Sequence, residues 1–306
     1  MSLPSAVCVE APAKINLYLG VGPLRDDGYH ELATVFQALD LSDEMTALPQ
    51  ASGISLEMDR DGEQVPGRAS DNLAVKAARA LKKRYKVKQG VRLVVTKEIP
   101  VAGGMAGGSA DAAGALVACN AVWGLGCSNA ELAEIAAELG SDVPFSLHGG
   151  TALGASRGEV LTPVLATGSF TWVVATSFTT LSTPEVYAAF DRMHAGRAIP
   201  APKVPRALLA ALRKGDQTAL GQNLHNDLQQ PAIALRPELD LLLEAGHDYG
   251  ALGAMVSGSG PTCVFLARDN EHGLELAVGL STTGLCRSAR IASGPVPGAR
   301  TTTIIP

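Results

Sequence analysis

Between residues 100 and 111 the chain reads Pro100-Val101-Ala102-Gly103-Gly104-Met105-Ala106-Gly107-Gly108-Ser109-Ala110-Asp111. Four glycines in so short a stretch force a turn. Glycine admits positive φ and lets other atoms come close to the backbone N–H groups. The small residues from 112 to 123 predict a helix entered at Ser109 or Ala110. Its first turn points unpaired N–H donors and the positive dipole end back at the glycines. Such a loop is an anion cradle suited to nucleotide phosphates. The competing reading is a turn that merely joins strand to helix. The commoner phosphate loops are excluded. The chain has no Gly-Lys pair, hence no G-x-x-x-x-G-K-[ST]. It also has no G-x-G-x-x-G, which argues against a dinucleotide fold and a protein-kinase lid.

Composition bounds the partners. Of 306 residues, 46% are hydrophobic and only 4% aromatic, enough apolar surface for a core of two domains and too few rings for a base-stacking platform. The balance of 25 basic against 30 acidic residues excludes an extended footprint for nucleic acid or an anionic membrane. It leaves room for a small anion held locally. Five cysteines, none in C-x-x-C spacing, predict no disulfide framework and a reducing, cytoplasmic setting. Residues 1–10 carry no secretory pattern, and the uncharged runs 112–130 and 160–184 are too rich in Gly, Ser, Thr and Pro to span a bilayer.

Periodicity predicts strands at 6–11, 15–21, 34–41 and 91–96, and a helix from Asn72 to Tyr85. Ser128-Asn-Ala-Glu131 is a capping box opening another helix. Further on, Thr183-Pro184-Glu185 starts a helix, residues 237–243 and 271–279 read as helices, and 262–267 reads as a buried strand. The C-terminal 295–306 is expected to be a strand or a loose tail. The fold class is α+β in two unequal lobes, divided near residue 160.

Three further patterns carry polar groups. Gly154-Ala-Ser156-Arg-Gly158 matches G-x-S-x-G, but residues 159–163 read as a strand, whereas a nucleophile elbow needs a helix after its Ser. Lys14 and Asn16 alternate with Ile15 and Leu17, so both face the same side of a strand, either solvent or a site. Asp142, in Gly140-Ser-Asp-Val-Pro144, is either a helix cap or a functional carboxylate. A second glycine turn, Val256-Ser-Gly-Ser-Gly-Pro261, reads by itself as an ordinary turn.

Taken in order, these pieces resemble the GHMP kinases, which bind ATP with P-x-x-x-G-[LM]-[GA]-[GS]-[GS]-S-[AS]; Pro100 to Ala110 reads that way. Ala106 stands where many members have Gly. An Ala with negative φ fits there; a left-handed requirement means that the loop departs slightly. One subfamily is matched more closely, that acting on cytidine-diphosphate-linked methylerythritol. Its patterns are Ala13–Leu19, Arg25-Asp-Asp-Gly-Tyr-His-Glu-Leu32, Asp71–Leu73, Gly140–Pro144 and Gly258–Gly260. The match is thinnest between residues 188 and 235.

The resemblance implies an N-terminal ribosomal-protein-S5-like nucleotide lobe, residues 1–160, and a C-terminal ferredoxin-like α/β-plait lobe, residues 161–306. It implies ATP as co-substrate with Mg²⁺, a small-molecule alcohol as acceptor, and a monomer or homodimer. Asp142 would be general base and Lys14 its charge partner. Pro100, Val101, Ala102, Gly103, Gly104, Met105, Ala106, Gly107, Gly108, Ser109 and Ala110 would hold ATP, with Lys97 and Asn72 near the adenine and Ser109 a ligand to Mg²⁺. Tyr29 and Tyr187 would sandwich cytosine, His30 would bond its edge, and Asn16 would hold the substrate. Three alternatives stand beside this: a kinase for another alcohol, a nucleotide-binding regulator without activity, and a hydrolase using Ser156.

Overall fold

The computed structural model describes residues 4–59, 69–101 and 103–306. Strands are β1 (Ala6–Leu24), β2 (His30–Gln50), β3 (Ile54–Asp59), β4 (Gly90–Thr96), β5 (Thr151–Ser156), β6 (Val160–Pro163), β7 (Phe170–Thr176), β8 (His225–Asn226), β9 (Gly253–Val256), β10 (Cys263–Ala267), β11 (Ser288–Gly294) and β12 (Arg300–Ile305). Helices are α1 (Leu73–Arg84), α2 (Gly107–Val122), α3 (Asn129–Leu139), α4 (Val143–His148), α5 (Thr183–Met193), α6 (Arg206–Lys214), α7 (Gln217–Gln222), α8 (Gln229–Leu235), α9 (Glu238–Asp248) and α10 (Asn270–Thr282).

The first sheet runs β12-β1-β2-β4-β3, with β5 and β6 continuing from β2 and β8 beside β1. The two predicted strands 6–11 and 15–21 are one, β1, and 34–41 lies inside the much longer β2. Pairing survives Pro12 because the register shifts at Pro12/Ala13 and again at Asn16/Tyr18. Bulges of this kind bend a strand and tolerate a proline without ending it. Helices α1, α2 and α3 cover the sheet through a core of alanines with Leu81 and Leu116, packed with Val91, Leu93 and Val95 of β4.

The second sheet is antiparallel in the order β11-β7-β10-β9, with α10 between β10 and β11 and five helices between β7 and β9. That is the connectivity of an α/β plait. Strand β7 is apolar on both faces because both are covered. Phe170, Trp172 and Val174 point to the first sheet, meeting Ala13, Ile15 and Leu17 of β1. Val173 and Ala175 point the other way, to Val186 and Phe190 of α5 and Leu276 of α10. The period-2 rule thus explains a run without polar alternation. Trp172 Nε1 donates to Gln37 Oε1 at 2.9 Å, a buried polar tie between the sheets.

Other boundaries follow local chemistry. Asn72 caps α1 by accepting from the Ala74 N–H at 2.8 Å, and Ser128 with Glu131 forms the capping box of α3. Helix α2 begins at Gly107, earlier than its composition suggests, because Ala106 takes φ 58° and ψ 33° and turns the chain straight into it. Residues 300–305 are strand β12, paired antiparallel with β1 from Ala6↔Ile305 to Glu10↔Arg300. All five cysteines are free thiols. Among the described residues no helix is long and apolar enough to cross a membrane.

Candidate active site

A cleft of about 730 Å³ opens between the glycine loop, the start of β2 and helix α5. Its walls carry Lys14, Asn16, Tyr29, His30, Asn72, Lys97, Pro100, Val101, Gly103, Gly104, Ala106, Gly107, Gly108, Asp142 and Tyr187. Met105 and Ala110 are fully buried in the core shared by the two sheets. Ser109 is half-buried in the first turn of α2, outside the cleft wall. Ala102 lies outside the described residues.

The loop is held on two sides. Met105 C=O accepts from the Lys14 N–H at 3.2 Å, fixing it to β1. From the second sheet, Ser257 Oγ donates to Gly104 C=O at 3.1 Å. Gly104 has φ 76°, and a Cβ there would lie 2.1 Å from Ser257 C=O. Only glycine fits such an approach. The second glycine turn is therefore the mate of the first, a role its sequence alone did not reveal. Ala106 is in the left-handed region, so the loop does depart from one built on a negative φ at that position.

Lys14 and Asn16 share a face, as the alternation predicts, and that face is the cleft and not solvent. Lys14 Nζ donates to Asn16 Oδ1 at 2.8 Å, and Asn16 Nδ2 donates to Thr34 Oγ1 at 2.8 Å. Thr34 Oγ1 in turn donates to Tyr18 C=O at 2.7 Å. The chain of bonds leaves neither Lys14 nor Asn16 free to rotate. Lys14 Nζ also stands 5.1 Å from the centre of the Phe36 ring. Its charge is met by Asp142 Oδ2 at 3.5 Å. Asp142 occupies the N-cap position of α4, yet its side chain makes no capping bond. The carboxylate is turned to the lysine instead.

At the other end, the turn from Arg25 to Tyr29 is closed by Arg25 N–H to Tyr29 C=O at 2.7 Å and by Asp27 accepting from the Tyr29 N–H at 3.1 Å. It leaves Tyr29 exposed and buries His30. His30 Nδ1 lies 2.8 Å from Gly22 C=O, and a carbonyl can only accept, so Nδ1 carries a proton. Nε2 faces Asp191 Oδ1 at 3.2 Å, and since a carboxylate oxygen only accepts, this contact is an ion pair when Nε2 carries a proton too. The His30 ring stacks on Tyr187 with centres 5.4 Å apart. Burial pushes the Tyr187 phenol up, and the Asp142 charge adds to it, so the tyrosine belongs to both ends of the cleft.

Lys97 proves to be a buried cation between two carboxylates, Asp43 and Asp111, the latter at 2.8 Å. Asp43 Oδ1 also accepts from the Glu98 and Ile99 N–H groups at 2.7 and 2.9 Å. The Asp111 carboxyl is pushed up to about 7 by burial, against the pull of Lys97, with Asp43 adding to the rise. Sequence reasoning missed Asp43, Asp111, Asp191 and Arg157. Asp111 had a signal: it is the single charge between Met105 and Glu131. Ser156, the hydrolase candidate, sits at the tip of the β5–β6 hairpin and is followed by a strand. Its Oγ accepts from Arg25 at 2.6 Å. A nucleophile elbow is excluded there.

The geometry therefore joins an anion cradle, a lysine–carboxylate pair and an aromatic pocket in a single cleft, which suits transfer of a phosphoryl group to an alcohol. Residues 72–150 match the GHMP kinases N terminal domain, and residues 208–284 match the GHMP kinases C terminal region. Over 96% of its length the chain is 53% identical to the 4-diphosphocytidyl-2-C-methyl-D-erythritol kinase of Salinispora tropica, covering 94% of that protein. With the enzyme of the same name from Nocardia farcinica it shares 51% identity over 97% of both chains. A crystal structure of a 4-(cytidine 5'-diphospho)-2C-methyl-D-erythritol kinase superposes with a TM-score of 0.76 at 33% identity, covering 93% of this chain and 97% of that one. L. major mevalonate kinase superposes equally well, TM-score 0.76, at 19% identity over 97% of this chain and 99% of its own, a likeness of fold alone. The chain is a kinase of the GHMP fold and belongs, within that group, to the 4-diphosphocytidyl-2-C-methyl-D-erythritol kinase family.

Proposed function

We propose that the chain transfers the γ-phosphoryl group of ATP to the 2-hydroxyl of 4-diphosphocytidyl-2-C-methyl-D-erythritol. The products are the 2-phosphate and ADP, in the methylerythritol phosphate route to isoprenoid precursors. The observation that carries this reading is the Lys14–Asp142 pair, 3.5 Å apart, in the same cleft as the glycine loop and the Tyr29–His30–Tyr187 pocket.

In this reading the glycine loop and the first turn of α2 hold the ATP phosphates through backbone N–H groups. Asn72 and Lys97 stand at the base end. Tyr29 and Tyr187 take the cytosine between them, a stack worth about 1–3 kcal/mol per base. His30 hydrogen-bonds the cytosine edge, and Asn16 steadies the acceptor alcohol. Asp142 takes the hydroxyl proton as the oxygen attacks phosphorus, and Lys14 keeps that carboxylate ionised and offsets charge on the transferring group. General-base assistance contributes roughly 10²–10⁴-fold in typical enzymes.

Mg²⁺ supplies neutralisation of phosphate charge. Among the described residues no three His, Cys, Asp or Glu side chains are grouped as a cage. That fits an ion which keeps its waters and enters with the nucleotide; Ser109, in the first turn of α2 beside the cleft wall, is the oxygen donor the chain would add. We assign residues 1–160 to an ATP-binding domain and 161–306 to a substrate domain, with β12 returning to the first sheet and Asn16, Tyr29 and His30 reaching the substrate from the first domain. A cytoplasmic monomer or homodimer without nucleic-acid or membrane partners completes the proposal.

The test is ADP release across candidate alcohols with ATP and Mg²⁺. Turnover is expected with the cytidine-diphosphate methylerythritol substrate and not with mevalonate or homoserine. Equal release with all three would refute the substrate assignment.

A further inference from the structure

The proposed substrate carries a diphosphate between its cytidine and its alcohol, and the cleft must neutralise it. Among the described residues, three lysine or arginine side chains line the walls: Lys14, Lys97 and Arg157. Lys14 is engaged by Asp142, and Lys97 by Asp43 and Asp111. Arg157 is paired as well, its Nε 3.4 Å from Glu159 Oε1, and differs in geometry: Glu159 also accepts its backbone N–H at 2.8 Å, and the two terminal nitrogens make no hydrogen bond among the described residues. The guanidinium stands 5.1 Å over the Tyr29 ring, at the end of the cleft assigned to cytosine. Asp191 stands on the same wall.

Arg157 is also placed with care. It lies in the G-x-S-x-G segment, whose Ser156 has φ 64° and Gly158 φ 103°, a tight hairpin tip between β5 and β6. Arg25 ties that tip to the tyrosine turn: it donates to Ser156 Oγ at 2.6 Å and pairs with Asp27 and Glu31 at 3.2 and 3.3 Å. Arg25 is thereby neutralised within the frame, and Arg157 is held against Tyr29 with its terminal donors uncommitted. A guanidinium is suited to this position, because it stacks on an aromatic face and still presents paired N–H donors to phosphate.

We infer that Arg157 binds the diphosphate of the cytidyl substrate next to the base stacked on Tyr29, and so selects a nucleotidyl alcohol over a bare one. The inference rests on the cytidyl reading of this end of the cleft. Titration calorimetry with cytidine, CDP and ADP tests it on the full chain. Wild type should bind CDP more tightly than cytidine. Arg157→Ala should weaken CDP by about 10–100-fold, the range of a hydrogen bond to a charged group, and leave cytidine within about twofold. Arg157→Lys should recover part of the loss, and ADP should bind all three proteins alike, which reports that the variants are folded. Equal weakening of cytidine and CDP in Arg157→Ala would show that Arg157 serves the Tyr29 stack alone and would overturn the inference, as would no change in either. Wild type that binds ADP but neither cytidine nor CDP would overturn the cytidyl reading itself, an outcome visible before any variant is made.

Discussion

Asp142 shows how much one side chain's direction decides. A residue at an N-cap normally spends its carboxylate on the helix N–H groups, and this one does not; it faces Lys14. Asp142→Asn keeps the size and removes the base, so kcat should fall by about 10²–10⁴-fold while KM for either substrate stays within a few-fold. Steady-state kinetics reads both, and an unchanged kcat would remove Asp142 from the chemistry. At this scale the sequence was partly legible. The alternation Lys14-Ile15-Asn16 announced two polar groups on one face, and the structure supplies the reason, the bonds to Thr34 and Asp142. The partnership of Lys97 with Asp43 was not legible, because 54 residues separate them and neither sits in a motif. Such pairing is set by strand register, and register is a long-range property.

Elements were easier to foresee than their limits. The capping box Ser128–Glu131 of α3 was readable because a cap is a local bond, whereas Asn72 reads as the first residue of its helix and turns out to be its cap. The joining of β1 across Pro12 was not, since it depends on bulges opposite β2. The start of α2 turns on Ala106, held at φ 58°. A left-handed L-residue costs about 1–2 kcal/mol, and glycine relieves it at some loss of chain entropy. Ala106→Gly should therefore raise the unfolding free energy by about 0.5–1 kcal/mol in urea titration. A fall of that size would mean that the loop does not carry strain at this residue.

For the molecule as a whole, stability should carry the mark of the Asp43–Lys97–Asp111 group, which binds β2, the end of β4 and α2 together. Asp111 titrates at about 7 in the fold, against ~3.9 in an unfolded chain. Between those values the native state holds a proton that the unfolded state lacks. This contribution is fully present below pH ~4 and is lost as pH rises toward neutrality. Asp111→Asn should flatten the slope of unfolding free energy between about pH 5 and 7; an equally steep decline in the variant would place its source elsewhere. The two-lobed plan was foreseeable from the order of motifs. The shared core between the sheets was not, because the run Phe170 to Ala175 says only that both faces are covered, and not by what.

Strand β12 flanks β1, so the first sheet gains that neighbour only from residues 300–305. During synthesis the stretch from the end of β6 to the start of β12 takes roughly 7–27 s at ordinary ribosomal rates. Throughout that time one margin of β1 stays open along Ala6–Glu10, a template for any passing strand. A kinase of this design is thus most exposed to misassembly while still being made, and its first strand waits longest for its neighbour.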